Sequence, residues 1–252
     1  MTDDVLTGRE GAVLTLTLAR PQKKNALTGA MYERLAEGLD AAERDASVGC
    51  VLLRGSGGVF TSGNDIADFL AASEGALAER PMAAFAFIRK LAAFGKPLVA
   101  AVEGPAIGIG ATLCLHCDLV YAAPAAQFAM PFVKLGFVPE GGSSLIVPQR
   151  FGAARAGAML LLGEPFSGEE AAAMGFATAA VPADALHAHA LAKAEALAKQ
   201  PRAALLAARS LMRGDRGAVL ARIDEEGRQI RAFLASPEAK AAFQAFMARG
   251  KP

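Results

Sequence analysis

The chain predicts an α/β fold, a layered body of strands and helices followed by a helical C-terminal region. Three observations carry this. Short apolar runs such as Cys50-Val51-Leu52-Leu53 and Leu98-Val99-Ala100-Ala101-Val102 recur in the first half, separated by segments of helical spacing. A composition of 53% hydrophobic and 20% charged residues over 252 positions supplies a large core and excludes intrinsic disorder. Beyond residue 183 the strand-like patterns stop and the chain reads as helix.

Taken in order, Val13-Leu14-Thr15-Leu16-Thr17-Leu18 alternates with period two and stops at Arg20-Pro21, as a half-buried strand does. Thr28 is placed to cap a helix in which Met31, Leu35, Leu39 and Ala42 share one face. The run from Cys50 is a buried strand, and a glycine-rich loop at 55–58 follows it. Asp65 starts a short helix carrying Ile66, Phe69 and Leu70. Pro81 opens another with Phe85, Ile88 and Leu91. Buried strands are expected at 98–102 and 118–121. Residues 153–162 read as a helix, and Ser167-Gly168-Glu169-Glu170 is a capping box opening the next. Residues 176–181 read as a last strand before Pro182. The helices beyond are broken at Gln200-Pro201 and Gly214. Ser236-Pro237-Glu238 starts a terminal helix with Phe243, Phe246 and Met247 in a stripe. The α/β body thus takes roughly 180–200 residues, within the ordinary domain range.

Charge and composition narrow the function classes. Twenty-six basic residues against 25 acidic ones give a net charge of +1, which leaves no electrostatic footprint for nucleic acid or an anionic membrane. Three cysteines do not make a disulfide scaffold and suit a reducing compartment. The acidic start Met1-Thr2-Asp3-Asp4 lacks an apolar targeting run, and no apolar stretch reaches membrane-spanning length, so the expected location is cytoplasmic.

Several motifs fail on their chemistry. In the Gly58–Gly63 stretch, Asn64 stands where a phosphate-binding loop needs lysine. Gly108-Ile109-Gly110 begins a dinucleotide fingerprint, but Leu113 replaces its third glycine. Ser143 lacks the closing glycine of a nucleophile elbow. Cys114-Leu115-His116-Cys117 has no second ligand cluster and reads as core packing, so no metal site is expected. His187 and His189 have no acidic or cysteine neighbour in sequence and read as solvated.

Two loops share a design. Phe60-Thr61-Ser62-Gly63-Asn64-Asp65-Ile66 and Glu103-Gly104-Pro105-Ala106-Ile107-Gly108-Ile109-Gly110 each follow a buried strand and lead into a helix. Turns of this kind expose unpaired backbone N–H groups, and two facing one point can hold a developing oxyanion. Glycine as ordinary turn punctuation is the competing reading.

These loops, with Arg20-Pro21-Gln22-Lys23-Lys24-Asn25-Ala26-Leu27, the stretch 104–118, and 128–144, resemble the crotonase (enoyl-CoA hydratase/isomerase) superfamily in order and spacing. The resemblance implies a crotonase-like spiral of ββα turns over residues 1–195 holding an acyl-CoA site. It also implies a helical oligomerisation region at 196–252 that builds a homotrimer or a hexamer. The substrate is an acyl-CoA thioester and no separate cofactor is implied. Carried over, the oxyanion donors are the main-chain N–H groups of Asn64 and Ile109. The acyl-CoA site takes in Ser62, Gly63, Asp65, Ile66, Gly108, Thr112, Phe132 and Gly141, with Lys24 either meeting a CoA phosphate or standing as a solvated charge.

Departures from the family pattern are informative. The two glutamates that activate water in the hydratases fall at Thr112 and Phe132 of this chain, so both are absent. Instead Glu140, in Val138-Pro139-Glu140-Gly141-Gly142-Ser143-Ser144, resembles the single base of the Δ3,Δ2-enoyl-CoA isomerase branch, especially its peroxisomal-type members. That implies a 1,3-proton shift from a 3-enoyl-CoA to the 2-trans isomer. The competing readings are an exposed loop glutamate, another crotonase reaction such as hydration, and a non-catalytic acyl-CoA-binding module.

Overall fold

The computed structural model describes residues 4–65, 67, 83–234, 236, 237 and 241. Two sheets form its frame. The larger has six strands: β1 (Val5–Glu10), β2 (Val13–Leu18), β3 (Cys50–Gly55), β4 (Leu98–Val102), β6 (Leu119–Ala122) and β9 (Ala179–Ala180), adjacent in that order. The hairpin β1–β2 is antiparallel and every other pairing is parallel, with Leu16 beside Leu53, Leu53 beside Ala100, and Ala100 beside Val120. The smaller sheet joins β5 (Pro105–Ile107), β7 (Gln127–Ala129) and β8 (Phe166–Ser167).

Parallel strands covered on both faces read as continuous apolar runs, which is why β3 and β4 are legible in the sequence. One face is covered by α1 (Gly29–Arg44), with Met31, Leu35, Leu39 and Ala42 buried, and by α2 (Ala83–Ala93), with Phe87, Ile88 and Leu91 buried. Thr28 caps α1 as expected, accepting from the Met31 N–H. Against β3 and β4 lies α6 (Ala183–Ala198), whose buried Ala190 and Ala194 let it approach closely. The capping box is also present, with Ser167 and Glu170 exchanging hydrogen bonds at the start of α5 (Gly168–Ala173).

The structure departs from the sequence expectations in several places. Strand β1 is not legible in the sequence, because five of its six residues are exposed and show no alternation. The second glycine-rich loop contains β5, which pairs with β7 before the chain enters α3 (Ile109–Cys114). The helix expected at 153–162 begins ten residues earlier, as α4 (Ser143–Ala156). Gly152, at φ 81°, interrupts it, and a π-helical turn, Gly157–Leu162, follows. The strand expected at 176–181 shortens to β9, since Phe176 and Ala177 instead return N–H bonds to Ala171. The expected helix after Asp65 and the terminal stripe Phe243, Phe246 and Met247 lie outside the described residues.

Beyond α6, the helices α7 (Arg202–Arg213) and α8 (Gly217–Leu234) wrap back onto the body. Helix α7 buries no residue fully and is moored by Arg209, which donates to Asp118 and to the Phe94 carbonyl. Helix α8 packs against α2 and the start of α4, a placement that matters for the site.

Candidate active site

The two glycine-rich loops lie side by side. Thr61 N–H donates to the Pro105 carbonyl at 2.8 Å and Ile107 N–H returns a bond to the Thr61 carbonyl at 3.0 Å. On the other side, Leu27 N–H donates to Gly63 O and Asp65 N–H to Leu27 O, both at 2.8 Å. Residues 60–65 are therefore held between two neighbouring segments. Gly63 shows why glycine is needed: its φ is 93°, and a Cβ there would stand 2.9 Å from the Ile107 carbonyl oxygen. Gly108, at φ 56°, turns the chain from β5 into α3.

Among the backbone donors that this packing leaves without protein acceptors in the described residues are the N–H groups of Asn64 and Ile109. Ile109 is the first residue of α3, where an N–H has no intrahelical partner. The Asn64 side chain is held through its carbonyl by the Tyr32 hydroxyl, and Tyr32 itself is buried against Phe87.

Both donors border a cavity of about 140 Å³. Its polar rim is Ser62, Gly63 and Asn64, and its remaining wall is apolar, with Phe85, Ile107, Ile109, Phe132, Leu135, Phe137 and Ile230. Glu140 is the single ionisable group among the described lining residues. It is 7% exposed, so the reading of an exposed loop glutamate is overturned. Burial raises its carboxyl pKa to about 8; the Thr112 hydrogen bond opposes the rise, and the neighbouring Glu226 charge adds to it.

Thr112, fully buried on α3, donates its hydroxyl to Glu140 Oε1 and also lies 3.4 Å from the Ile109 carbonyl. That arrangement serves both protonation states. The hydroxyl donates to the carboxylate, or it accepts from the protonated acid and turns to Ile109.

The segment after Glu140 is a tight turn. Gly141 and Gly142 have φ of 71° and 74°, and Ser143 Oγ and N–H both donate to the Glu140 carbonyl, at 2.6 and 3.1 Å. His116 Nε2 meets the Gly141 carbonyl at 2.8 Å and Arg216 donates to His116 Nδ1 at 3.1 Å. These two contacts require a neutral ring with its proton on Nε2. Burial and the Arg216 charge accordingly lower the His116 pKa to about 3. Cys114 and Cys117 beside it are buried thiols, their pKa values raised by burial, Cys117 to about 12. Among the described residues, no three His, Cys, Asp or Glu side chains cluster as metal ligands do.

The sequence-selected residues divide into three groups. Ser62, Gly63, Asn64, Gly108, Ile109, Phe132 and Glu140 come together around the cavity. Thr112 and Gly141 stand behind Glu140 rather than on the wall. Asp65 stands outside the cavity lining, its carboxylate 2.8 Å from Arg20. Lys24 is exposed at a left-handed turn outside the cavity, and Ile66 lies outside the described residues. His187 is also corrected: it lies 3.4 Å from Glu103 and is only half-exposed. His189 packs edge-on against Tyr121. Sequence reasoning missed Ile230 and Glu226. Both lie on α8, about 90 residues from Glu140 in sequence, and no local motif marks them.

A sequence profile of the enoyl-CoA hydratase/isomerase family matches residues 8–252. The chain belongs to this family. This enoyl-CoA hydratase/isomerase family member is 38% identical to the 1,2-epoxyphenylacetyl-CoA isomerase of Escherichia coli K12 over 205 residues. That alignment takes in 80% of this chain and 78% of the relative. It is 34% identical to enoyl-CoA delta isomerase 2 of Rattus norvegicus over 249 residues, 97% of this chain but 63% of the longer rat protein. Relatives at similar identity carry hydratase as well as isomerase names. The structure of Pseudomonas aeruginosa OdaA superposes with a TM-score of 0.92 at 45% identity, covering 98% of this chain and 99% of that one. The crotonase-like fold expected from the sequence is therefore the observed one.

Proposed function

We propose that this family member is a Δ3,Δ2-enoyl-CoA isomerase in which Glu140 is the single acid/base. The observation that carries the reading is one buried carboxyl, pKa about 8, on the described wall of a largely apolar cavity that Asn64 and Ile109 also line, their N–H groups without protein acceptors among the described residues. Two relatives whose names are those of CoA-thioester isomerases support it. Thr112 and Phe132 stand at the positions where the resemblance places the hydratase glutamates, which argues against activation of water.

In this reading the Asn64 and Ile109 N–H groups bind the thioester oxygen of a 3-enoyl-CoA. Glu140 takes a proton from C2, and the C–H electrons pass into a dienolate whose oxygen charge the two N–H groups stabilise. The protonated Glu140 returns that proton at C4, and the double bond comes to rest between C2 and C3. Each main-chain donor of this kind contributes about 10²–10³ in rate, and a positioned base about 10²–10⁴. A raised pKa keeps Glu140 basic enough to accept the proton while ready to give it back. Phe132 and Phe137 keep water from the dienolate. The apolar wall fits a hydrocarbon acyl chain, and Lys24 is assigned to a CoA phosphate at the entrance. A trimer or hexamer built through the helical region from 196 belongs to the same proposal.

The test offers the protein 3-enoyl-CoA and 2-enoyl-CoA separately and follows conjugated thioester formation and hydration. Isomerisation of the first with scarcely any hydration of the second is expected, and Glu140→Gln is expected to abolish isomerisation while acyl-CoA still binds. A fully active Glu140→Gln protein sinks the mechanism, and binding without turnover favours a non-catalytic module.

A further inference from the structure

Glu226 is a buried acid, 4% exposed, on the C-terminal helix α8. Its carboxylate reaches the turn that carries Glu140. Oε2 accepts from the Gly142 N–H at 2.6 Å, and Oε1 accepts from the Ser144 N–H at 3.0 Å and the Ser144 hydroxyl at 2.6 Å. These are the orphan amides at the start of α4. The residue before that helix, Gly142, has no side chain to cap them, so an acid from a distant helix does so. All three contacts have Glu226 as acceptor, which is the behaviour of an ionised carboxylate. Arg222, one turn back on α8, donates to the Ser144 hydroxyl at 3.1 Å and completes the cap. The packing is close as well: a Cβ on Gly142 would stand 3.2 Å from Val219 and 3.4 Å from Ile223, both on α8.

From these contacts we infer that Glu226 is a positioning residue for the proposed reaction, fixing the Glu140 turn from the C-terminal helix. The inference rests on Glu140 being the base. It makes the helical C-terminal region part of the active site. Residues 141–144 are gripped on one side by His116, backed by Arg216, and on the other by Glu226, backed by Arg222. Lacking side chains, Gly141 and Gly142 cannot hold the turn themselves. Among the described residues, the charged groups around Glu226 are few. Arg222 neighbours it on α8 and Glu140 lies across the turn. Arg89 of α2 and Asp224 of α8 pair with each other on the outer surface, both half-exposed. A negative Glu226 disfavours ionisation of Glu140 and so adds to the rise that burial causes.

The test is the pH profile of kcat for 3-enoyl-CoA isomerisation in Glu226→Gln, Glu226→Asp and Glu140→Gln proteins, with acyl-CoA affinity measured alongside. Glutamine is nearly isosteric but uncharged, and its amide cannot accept at both ends. Its plateau kcat is expected to fall by about 10-fold to 100-fold as the base loses its placement, while the midpoint of the limb on which kcat rises with pH moves to lower pH and acyl-CoA affinity holds. Aspartate keeps the charge, so its midpoint stays near the wild-type value while kcat falls through the shorter reach. A folded Glu226→Gln protein with wild-type midpoint overturns the inference, whether or not its kcat has fallen, because a merely structural contact leaves the midpoint in place. If Glu226→Gln does not fold, a wild-type kcat in Glu226→Asp overturns it instead. Activity in Glu140→Gln refutes the base assignment itself, a result distinct from either of these.

Discussion

Replacing Glu140 with glutamine has a consequence for stability that needs no substrate. The folded protein holds a proton on Glu140 up to pH of about 8, whereas the unfolded chain releases it near 4.5. Between those values the native state binds more protons than the unfolded state, so raising the pH weakens the fold. The full window corresponds to a ceiling of about 5 kcal/mol at 1.36 kcal/mol per pH unit, and the part between pH 6 and 8 to about 3 kcal/mol. The glutamine of the Glu140→Gln variant carries no such titration and keeps the shape of the side chain. Urea unfolding of both proteins at pH 6 and pH 9 measures the difference, since every other titrating group is shared. The wild-type protein is expected to lose about 3 kcal/mol more than the variant across that interval, and above pH 8 the variant is expected to be the more stable of the two. Equal losses would show that Glu140 is not held protonated by its burial, and the raised basicity on which the proposed proton shuttle depends would go with it.

Two further outcomes follow from the same geometry. Thr112→Val removes the hydroxyl that stabilises the Glu140 carboxylate while preserving volume. The midpoint of the kcat–pH profile is therefore expected to rise by about half to one pH unit, and an unmoved midpoint would show that the hydroxyl does not bond the base. Lys24→Ala is expected to raise KM for a CoA thioester about two- to fivefold, with little effect on a pantetheine thioester that lacks the distal phosphates, and equal KM changes for both would remove Lys24 from the CoA site.

Residues 50–53 and 98–102 are readable as strands because parallel strands covered on both faces need near-continuous apolar sequence, and 13–18 through its period-two alternation, although all six of its residues are buried rather than half of them. Thr28 and Ser167 are readable as caps because a cap acts over three residues and leaves a local signature. The glycine-rich loops and Glu140 are readable through their order and spacing. Strand β5 is hidden because its pairing is with β7, twenty-two residues on, and Pro105-Ala106-Ile107 has no alternation of its own. Asp65 sits among site residues in sequence, and its carboxylate pairs with Arg20 across forty-five residues.

By itself the sequence determined the layered α/β class, two glycine-rich strand-to-helix loops of shared design, and Glu140 in a Pro-Glu-Gly-Gly segment downstream of Thr112 and Phe132. Those are properties of residue type and local spacing, which a linear chain records. Only the tertiary structure decided that Glu140 is buried and its basicity raised, that Thr112 bonds it, and that Ile230 and Glu226 of the last described helix complete the wall and the clamp. Burial and long-range electrostatics depend on what folding brings within a few ångströms, and no spacing along the chain encodes the meeting of residues 140 and 226.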